Sequence, residues 1–269
     1  MCLAVIAWNA HPRWKLVVVA NRDEFHGRPA TAMRPWAQMP AVLAGKDVQA
    51  GGTWLGVRND GRFALLTNYR DPATVIAAAP SRGKLVENFL IQDRDATPYL
   101  KALSLTRNTY NGFNLLVSDS RTLAYASNKT EPFTRLVPAG VHGLSNALLD
   151  TPWPKTQKTV NAVKHLLTPE ANAKPEDFSA VMRDTEPVND ELLPHTGIAL
   201  DRERLLATPF IISPNYGTRC TTLILQDTDQ GIWVQEDSYN ADGEQFEQQR
   251  WCSAAGGPWK PFQVWPGSL

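Results

Sequence analysis

Two runs near the amino terminus, Leu3 to Trp8 and Lys15 to Ala20, are apolar at nearly every position. A β-strand points successive side chains to opposite faces, so a strand without a polar face must be covered on both sides. Val5, Ile6 and the Val17-Val18-Val19 triplet favour extended backbone. His11-Pro12-Arg13 separates the runs, and the short spacing lets them pair as a hairpin. The chain is therefore expected to build a layered structure around this pair. The second run passes straight into Asn21-Arg22-Asp23-Glu24. In an antiparallel hairpin the end of one strand lies beside the start of the other. That topology brings these polar residues next to Cys2, at a strand end, where functional side chains collect.

The rest of the chain alternates hairpins with helices. Residues 28–50, rich in Pro, Ala and Met, read as irregular. Apolar runs from Thr53 to Arg58 and Arg62 to Asn68 flank Asn59-Asp60-Gly61, a strong turn signal. The second run ends in Asn68-Tyr69-Arg70-Asp71. Leu85, Val86, Phe89 and Leu90 share one helical face, and a second helix is expected over 96–104. Residues 113–119 and 122–127 read as another strand pair, and 141–146 as a short strand into a turn. Val160, Val163, Leu166 and Leu167 predict a helix over 159–167; Pro175 opens another over 176–184. Residues 221–225 and 231–235 make a late hairpin, 246–251 is the last strand, and the Pro-containing tail from Gly256 reads as a wrapped arm. Hairpin-clustered strands imply antiparallel sheets with separate helical layers, an α+β class, in one domain over 1–269.

No apolar run reaches the roughly 18–20 residues of a membrane helix, and the start does not resemble a secretory signal, so a cytoplasmic protein is expected. The 27 basic and 27 acidic residues cancel, which argues against a nucleic-acid partner. The three cysteines, Cys2, Cys220 and Cys252, are widely spaced and fit free thiols in a reducing compartment. No spacing suggests a zinc site, and Gly51-Gly52-Thr53 lacks the lysine of a nucleotide loop.

Cys2 has its own chemistry. Residue 2 is small, so Met1 is expected to be removed, leaving a thiol and a free α-amine on one Cα. An amine with a reference pKa of about 7.7–8.0 can take a proton near neutral pH. A nucleophile beside its own terminal amine is a known activated arrangement. Cys220 opens a strand and reads as a core thiol.

Together with Cys2 and the Asn21–Glu24 tetrapeptide, Thr67-Asn68-Tyr69-Arg70, Gly143-Leu144-Ser145-Asn146 with Asp150, Pro152-Trp153-Pro154-Lys155 and Tyr216-Gly217-Thr218-Arg219 resemble the NRDE family, also called transport and Golgi organisation 2. The match runs from residue 2 to about residue 225. That family resembles the N-terminal nucleophile hydrolases of the choloylglycine hydrolase and penicillin V acylase group. The resemblance implies a four-layer αββα sandwich and an amide- or acyl-cleaving activity on a small molecule, with no metal or organic cofactor. It implies Cys2 as nucleophile, Asp23 as partner of the terminal amine, Asn68 and Asn146 as oxyanion donors, and Arg219 as the later arginine that favours thiolate. Asn21, Arg22, Glu24 and Tyr69 are expected to contact substrate. Ala20 stands where the acylases carry their early Arg; Arg22 is the neighbouring guanidinium, expected on the opposite side of the extended strand. The alternative is a non-catalytic ligand-binding or trafficking protein on the same fold, handling haem or lipid, with Cys2 or a His as the axial ligand of haem.

Overall fold

The structure is a computed structural model and describes residues 2–265. In chain order it runs β1 (Cys2–Trp8), β2 (Trp14–Phe25), β3 (Ala30–Trp36), β4 (Met39–Asp47), β5 (Leu55–Arg58), β6 (Phe63–Asn68), α1 (Gly83–Ile91), α2 (Ala96–Leu103), β7 (Phe113–Ser118) and β8 (Leu123–Ser127). It continues with β9 (Thr134–Leu136), β10 (Gly140–Leu144), α3 (Pro154–Leu166), α4 (Pro175–Val181), α5 (Leu200–Leu206), β11 (Tyr216–Asp227), β12 (Ile232–Tyr239), β13 (Gln245–Ser253) and β14 (Lys260–Pro261). The strands form two seven-stranded sheets. One has the order β10-β1-β2-β11-β12-β13-β14, and the other runs β3 to β9 in sequence order. Neighbouring strands are antiparallel, as hairpin spacing predicts.

The apolar pair at the amino terminus lies at the middle of a four-layer αββα sandwich. Ala4, Ile6, Leu16 and Val18 face inward against Val57, Phe63 and Leu65 of the other sheet. Leu3, Val5, Val17 and Val19 face outward beneath Val163 of α3 and Phe178 of α4. The outer face of the second sheet, with Ala64, Leu66 and Val117, is covered by Leu85, Val86 and Phe89 of α1 and Leu100 of α2. Leu3, Val5 and Ile6 are 0% exposed, and each such side chain contributes about 1.5–3 kcal/mol of burial.

Several boundaries differ from the expectation. Residues 28–50 are not irregular: they carry β3 and β4. The register between them slips on both sides of Arg34-Pro35, and β3 is the sheet's edge strand. A proline is tolerated there because an edge strand and a bulge leave its missing N–H without consequence, and the same features break the alternation that marks a strand. Helix α3 begins at Pro154, ahead of the apolar pattern, because its first turn buries Lys155 and Thr156 rather than apolar side chains. Helix α5 and strand β9 are too short to print a period. The tail does wrap the body: Trp259 enters the inter-sheet core and Trp265 the layer under α3 and α4. Pro266 and the three residues after it lie outside the described residues.

Candidate active site

Cys2 opens β1 and pairs with Arg22 of β2, which in turn pairs with Cys220 of β11. Directly opposed residues of an antiparallel ladder share a face. All three therefore lie on the face that also carries Ala4, Val18 and Ala20, at the end of the space between the sheets. A cleft of about 570 Å³ opens there, with Cys2, Arg22, Asn68, Arg82, Arg219 and Cys220 among its lining. Arg22, expected on the opposite side of its strand, is instead on the Ala20 face: positions 20 and 22 differ by one full strand period.

Asp23 turns toward the helical layer. It is 1% exposed, and its Oδ1 accepts a hydrogen bond from the Thr218 hydroxyl at 2.8 Å. The Tyr216 hydroxyl donates to the Asp23 backbone carbonyl at 3.0 Å. Lys155 approaches from the first turn of α3. It is 2% exposed, with Nζ donating to the Leu206 carbonyl at 2.7 Å. Gly143 makes this approach possible, since a Cβ there would sit 2.5 Å from Cγ2 of Thr156 and 2.7 Å from Cγ2 of Val160.

Burial dominates the electrostatics. It pushes the Cys2 thiol up to about 11, opposed by the ammonium of the unprocessed chain start and by Arg22. It also raises the Asp23 carboxyl, against the terminal ammonium, Lys155, Thr218 and Arg22. Lys155 is lowered to about 8 by the same burial, with Asp23 the largest opposing charge. Thiol, carboxylate and ammonium groups are thus packed where each field reaches the others. Cys220 also borders the cleft; burial pushes its thiol well up, and the neighbouring Glu236 pushes it further.

The predicted site residues take distinct places. Asn68, at the end of β6, lines the cleft, and among the described residues its side-chain amide has no hydrogen-bond partner. Asn146 does not line the cleft; it is 1% exposed, and its Nδ2 donates to the Asn68 carbonyl at 2.8 Å. Its own carbonyl accepts from the Arg70 N–H at 2.8 Å, so Asn146 ties down the β6 end. Arg219 lines the cleft, and its Nη1 donates to the carbonyls of Phe25, His26 and Arg28 at 3.0, 3.1 and 3.3 Å. Arg22 is the guanidinium that acts most strongly on the Cys2 thiol, and Arg82 also feels its charge. Glu24 borders the cleft, 3.9 Å from Arg22 and 3.8 Å from Arg28.

Asn21 and Tyr69 do not line the cleft. Asn21 is 0% exposed. Its Nδ2 donates to the carbonyls of Met182 and Pro209 at 2.8 and 2.9 Å, and its Oδ1 accepts from Thr221 at 2.6 Å. The whole amide is spent on holding β2 to the helical layer, because position 21 has the outward parity of Val17 and Val19. Tyr69 follows the strand end and donates its N–H to the Gly112 carbonyl.

Four functional candidates were not singled out from sequence. Lys155 sits in the Pro152–Lys155 block, ahead of the helix expected from residue 159, and its neighbours give no sign that it is buried. Arg82 precedes α1 with no charge pattern to mark it. Arg70 and Glu203 form a buried ion pair at 2.7 Å between segments 133 positions apart. Among the described residues no cluster of His, Cys, Asp and Glu could hold a metal ion, and no helix is long and apolar enough to cross a membrane.

Two solved structures can be superposed on most of this chain. A mutant conjugated bile acid hydrolase from Clostridium perfringens aligns with a TM-score of 0.49 and 8% identity, covering 99% of this chain and 98% of that one. A Caenorhabditis elegans orthologue of N-acylethanolamine-hydrolyzing acid amidase aligns with a TM-score of 0.48 and 11% identity, covering 83% and 92%. By sequence, the human Transport and Golgi organization protein 2 homolog is 35% identical over 263 residues, 88% of this chain and 93% of that protein. The Drosophila melanogaster Transport and Golgi organization protein 2 is 24% identical over 199 residues, 67% of this chain and 70% of that protein. The family description Transport and Golgi organisation 2 matches residues 1–241. The chain belongs to the Transport and Golgi organisation 2 family.

Proposed function

We propose that this chain is an N-terminal-cysteine hydrolase acting on an amide or acyl bond of a small molecule. The observation that carries this reading is the placement of Cys2: first residue of a buried strand, opening into a cleft, with Arg22 on its own face and Asp23 turned to the other. Removal of Met1 leaves the α-amine on Cys2. Burial holds the Cys2 thiol above its ordinary value, so thiolate is scarce at neutral pH and attack needs a base. The α-amine is that base. It takes the thiol proton as Sγ bonds to the substrate carbonyl carbon, and the carbonyl electrons move to oxygen. Asn68 donates to this oxyanion from the β6 end, and Asn146 holds Asn68 in place. The ammonium then protonates the leaving amine or alkoxide, and a thioester to Cys2 remains. Water attacks the thioester as the α-amine again takes a proton, the C–S bond breaks to release a carboxylic acid, and the ammonium returns its proton to the Cys2 thiolate. Asp23 orients the amine, and Lys155 counters the burial that would otherwise protonate Asp23.

The chemistry draws only on groups of the chain. Arg22, Glu24, Arg28 and Asp47 line the cleft, which suits a polar small molecule better than haem or lipid. A β-lactone acylating probe tests the reading. One adduct at Cys2, lost in Cys2→Ala, is expected from peptide mass spectrometry. An adduct at Cys220 or Cys252 with Cys2 unmodified would refute it.

A further inference from the structure

The cleft beside Cys2 is lined by as many carboxylates as cations, but the pairing between them is uneven. Arg22, Arg28, Arg82 and Arg219 line it. The nearby carboxylates on that wall are Glu24 and Asp47. Asp47 is occupied by Arg28 at 2.7 Å and by the backbone N–H groups of Gln49 and Ala50. Glu24 gives one oxygen to the Phe25 N–H at 2.9 Å, and the other lies 3.8–3.9 Å from Arg28 and Arg22. Of the remaining acids, Asp23 faces Lys155, and Glu236 is buried, accepting from the Met33 N–H at 2.7 Å. Glu247 accepts from Gln249 at 2.8 Å.

Arg82 and Arg219 are left without a carboxylate within 4.0 Å among the described residues. Arg82 is the more telling of the two. It spends Nη1 on the Gly112 carbonyl at 2.8 Å, which leaves Nε and Nη2 of its fork for another acceptor. It feels the charge of Cys2, so it lies within electrostatic reach of the reacting sulfur, and burial lowers its pKa. It also occupies the N-cap of α1, a helix with no side-chain cap and no acidic residue in its first turn. Gly83, the first residue of that helix, borders the same cleft. A half-buried guanidinium with N–H groups to spare, at a helix start without a side-chain cap, favours negative charge beside it.

We propose that the compound processed at Cys2 carries an anionic group — a carboxylate, sulfonate or phosphate — and that Arg82 binds it through its free fork, with Arg219 reinforcing the field from β11. This names the substrate class for the hydrolase reading and rests on it. The bidentate geometry of a guanidinium suits an oxyanion, and a charge-assisted hydrogen bond of about 1.5–3 kcal/mol corresponds to roughly tenfold to a hundredfold in binding.

Alkylation by iodoacetate and by iodoacetamide tests this, because the reagents differ by one negative charge. Rates are followed at Cys2 and at Cys252, the partly exposed thiol of β13, by peptide mass spectrometry. The iodoacetate-to-iodoacetamide ratio cancels changes in thiolate population. It is expected to be about tenfold or more higher at Cys2 than at Cys252, to fall several-fold toward the Cys252 value in Arg82→Gln, and to be better retained in Arg82→Lys. Equal ratios at the two thiols of the wild type would overturn the proposal. Thermal melting in sulfate against chloride at matched ionic strength gives an arm that does not depend on Cys2 reactivity. A sulfate shift larger in the wild type than in Arg82→Gln supports the site, and where neither reagent modifies Cys2, equal shifts in the two proteins overturn it. Failure of the hydrolase reading looks different: the anion preference persists while the β-lactone leaves Cys2 unmodified.

Discussion

Replacing Lys155 with Met should change how stability depends on pH. Lys155 is 2% exposed, and burial lowers its pKa from 10.5 to about 8, against the pull of Asp23. In the unfolded chain the lysine titrates at its ordinary value. Between the two values the unfolded state holds the proton and the native state does not, so native stability rises with pH through that window. At ~1.4 kcal/mol per pH unit, the gap from 10.5 to about 8 is worth ~3 kcal/mol in full. Between about pH 7 and pH 10 the wild type should therefore gain ~2–3 kcal/mol relative to Lys155→Met. Methionine keeps an unbranched stem of similar length and has nothing to titrate there. Urea unfolding of both proteins at about pH 7, 8.5 and 10 measures the difference, and titration of the buried tyrosines, common to both, cancels in it. A difference that stays flat with pH would mean that Lys155 titrates as it does in water, and the account of a dry charged layer behind Asp23 would fail.

Glu203→Ala strips the partner from Arg70 in an ion pair whose side chains are 6% and 5% exposed, and should cost ~3–5 kcal/mol in urea unfolding. Asp150→Asn removes the hydrogen bond that raises the pKa of His142. A raised histidine adds stability in full below its ordinary value of 6.5 and loses it as pH climbs through the raised one. The Asp150→Asn deficit in melting temperature should accordingly be larger near pH 5.5 than near pH 9. Asn68→Ala should lower the rate of Cys2 acylation by the β-lactone about 10²–10³-fold with little change in stability. Asn146→Ala should lower both rate and stability, since its buried amide anchors the Asn68 backbone.

What could be read beforehand followed from local pattern. The unbroken apolar character of Leu3 to Trp8 and Val17 to Val19 announced cover on both faces, and α3 and the second sheet supply it. The Asp60-Gly61 turn and the Leu85–Leu90 face were legible for the same reason: period and turn chemistry are written in adjacent residues. β3 and β4 were not, because Pro35 and the bulges around it erase alternation. At the site, hairpin topology was enough to bring Cys2 beside Arg22. The facing of side chains around it needed the register. Asn21 is consumed by Met182, Pro209 and Thr221, partners at least 161 positions away that no local pattern reveals. Lys155 and Arg82 were missed because a lysine or arginine is ordinarily solvated, and only the packed layers show these two to be shielded from water.

The account depends most on the α-amine of Cys2. Intact mass of the purified chain, followed by mapping of its first peptide, measures that directly. The predicted result is a chain lacking Met1, with β-lactone acylation at Cys2 abolished when an added residue blocks the new terminus. A chain that retains Met1 and still acylates Cys2 at the full rate would contradict it.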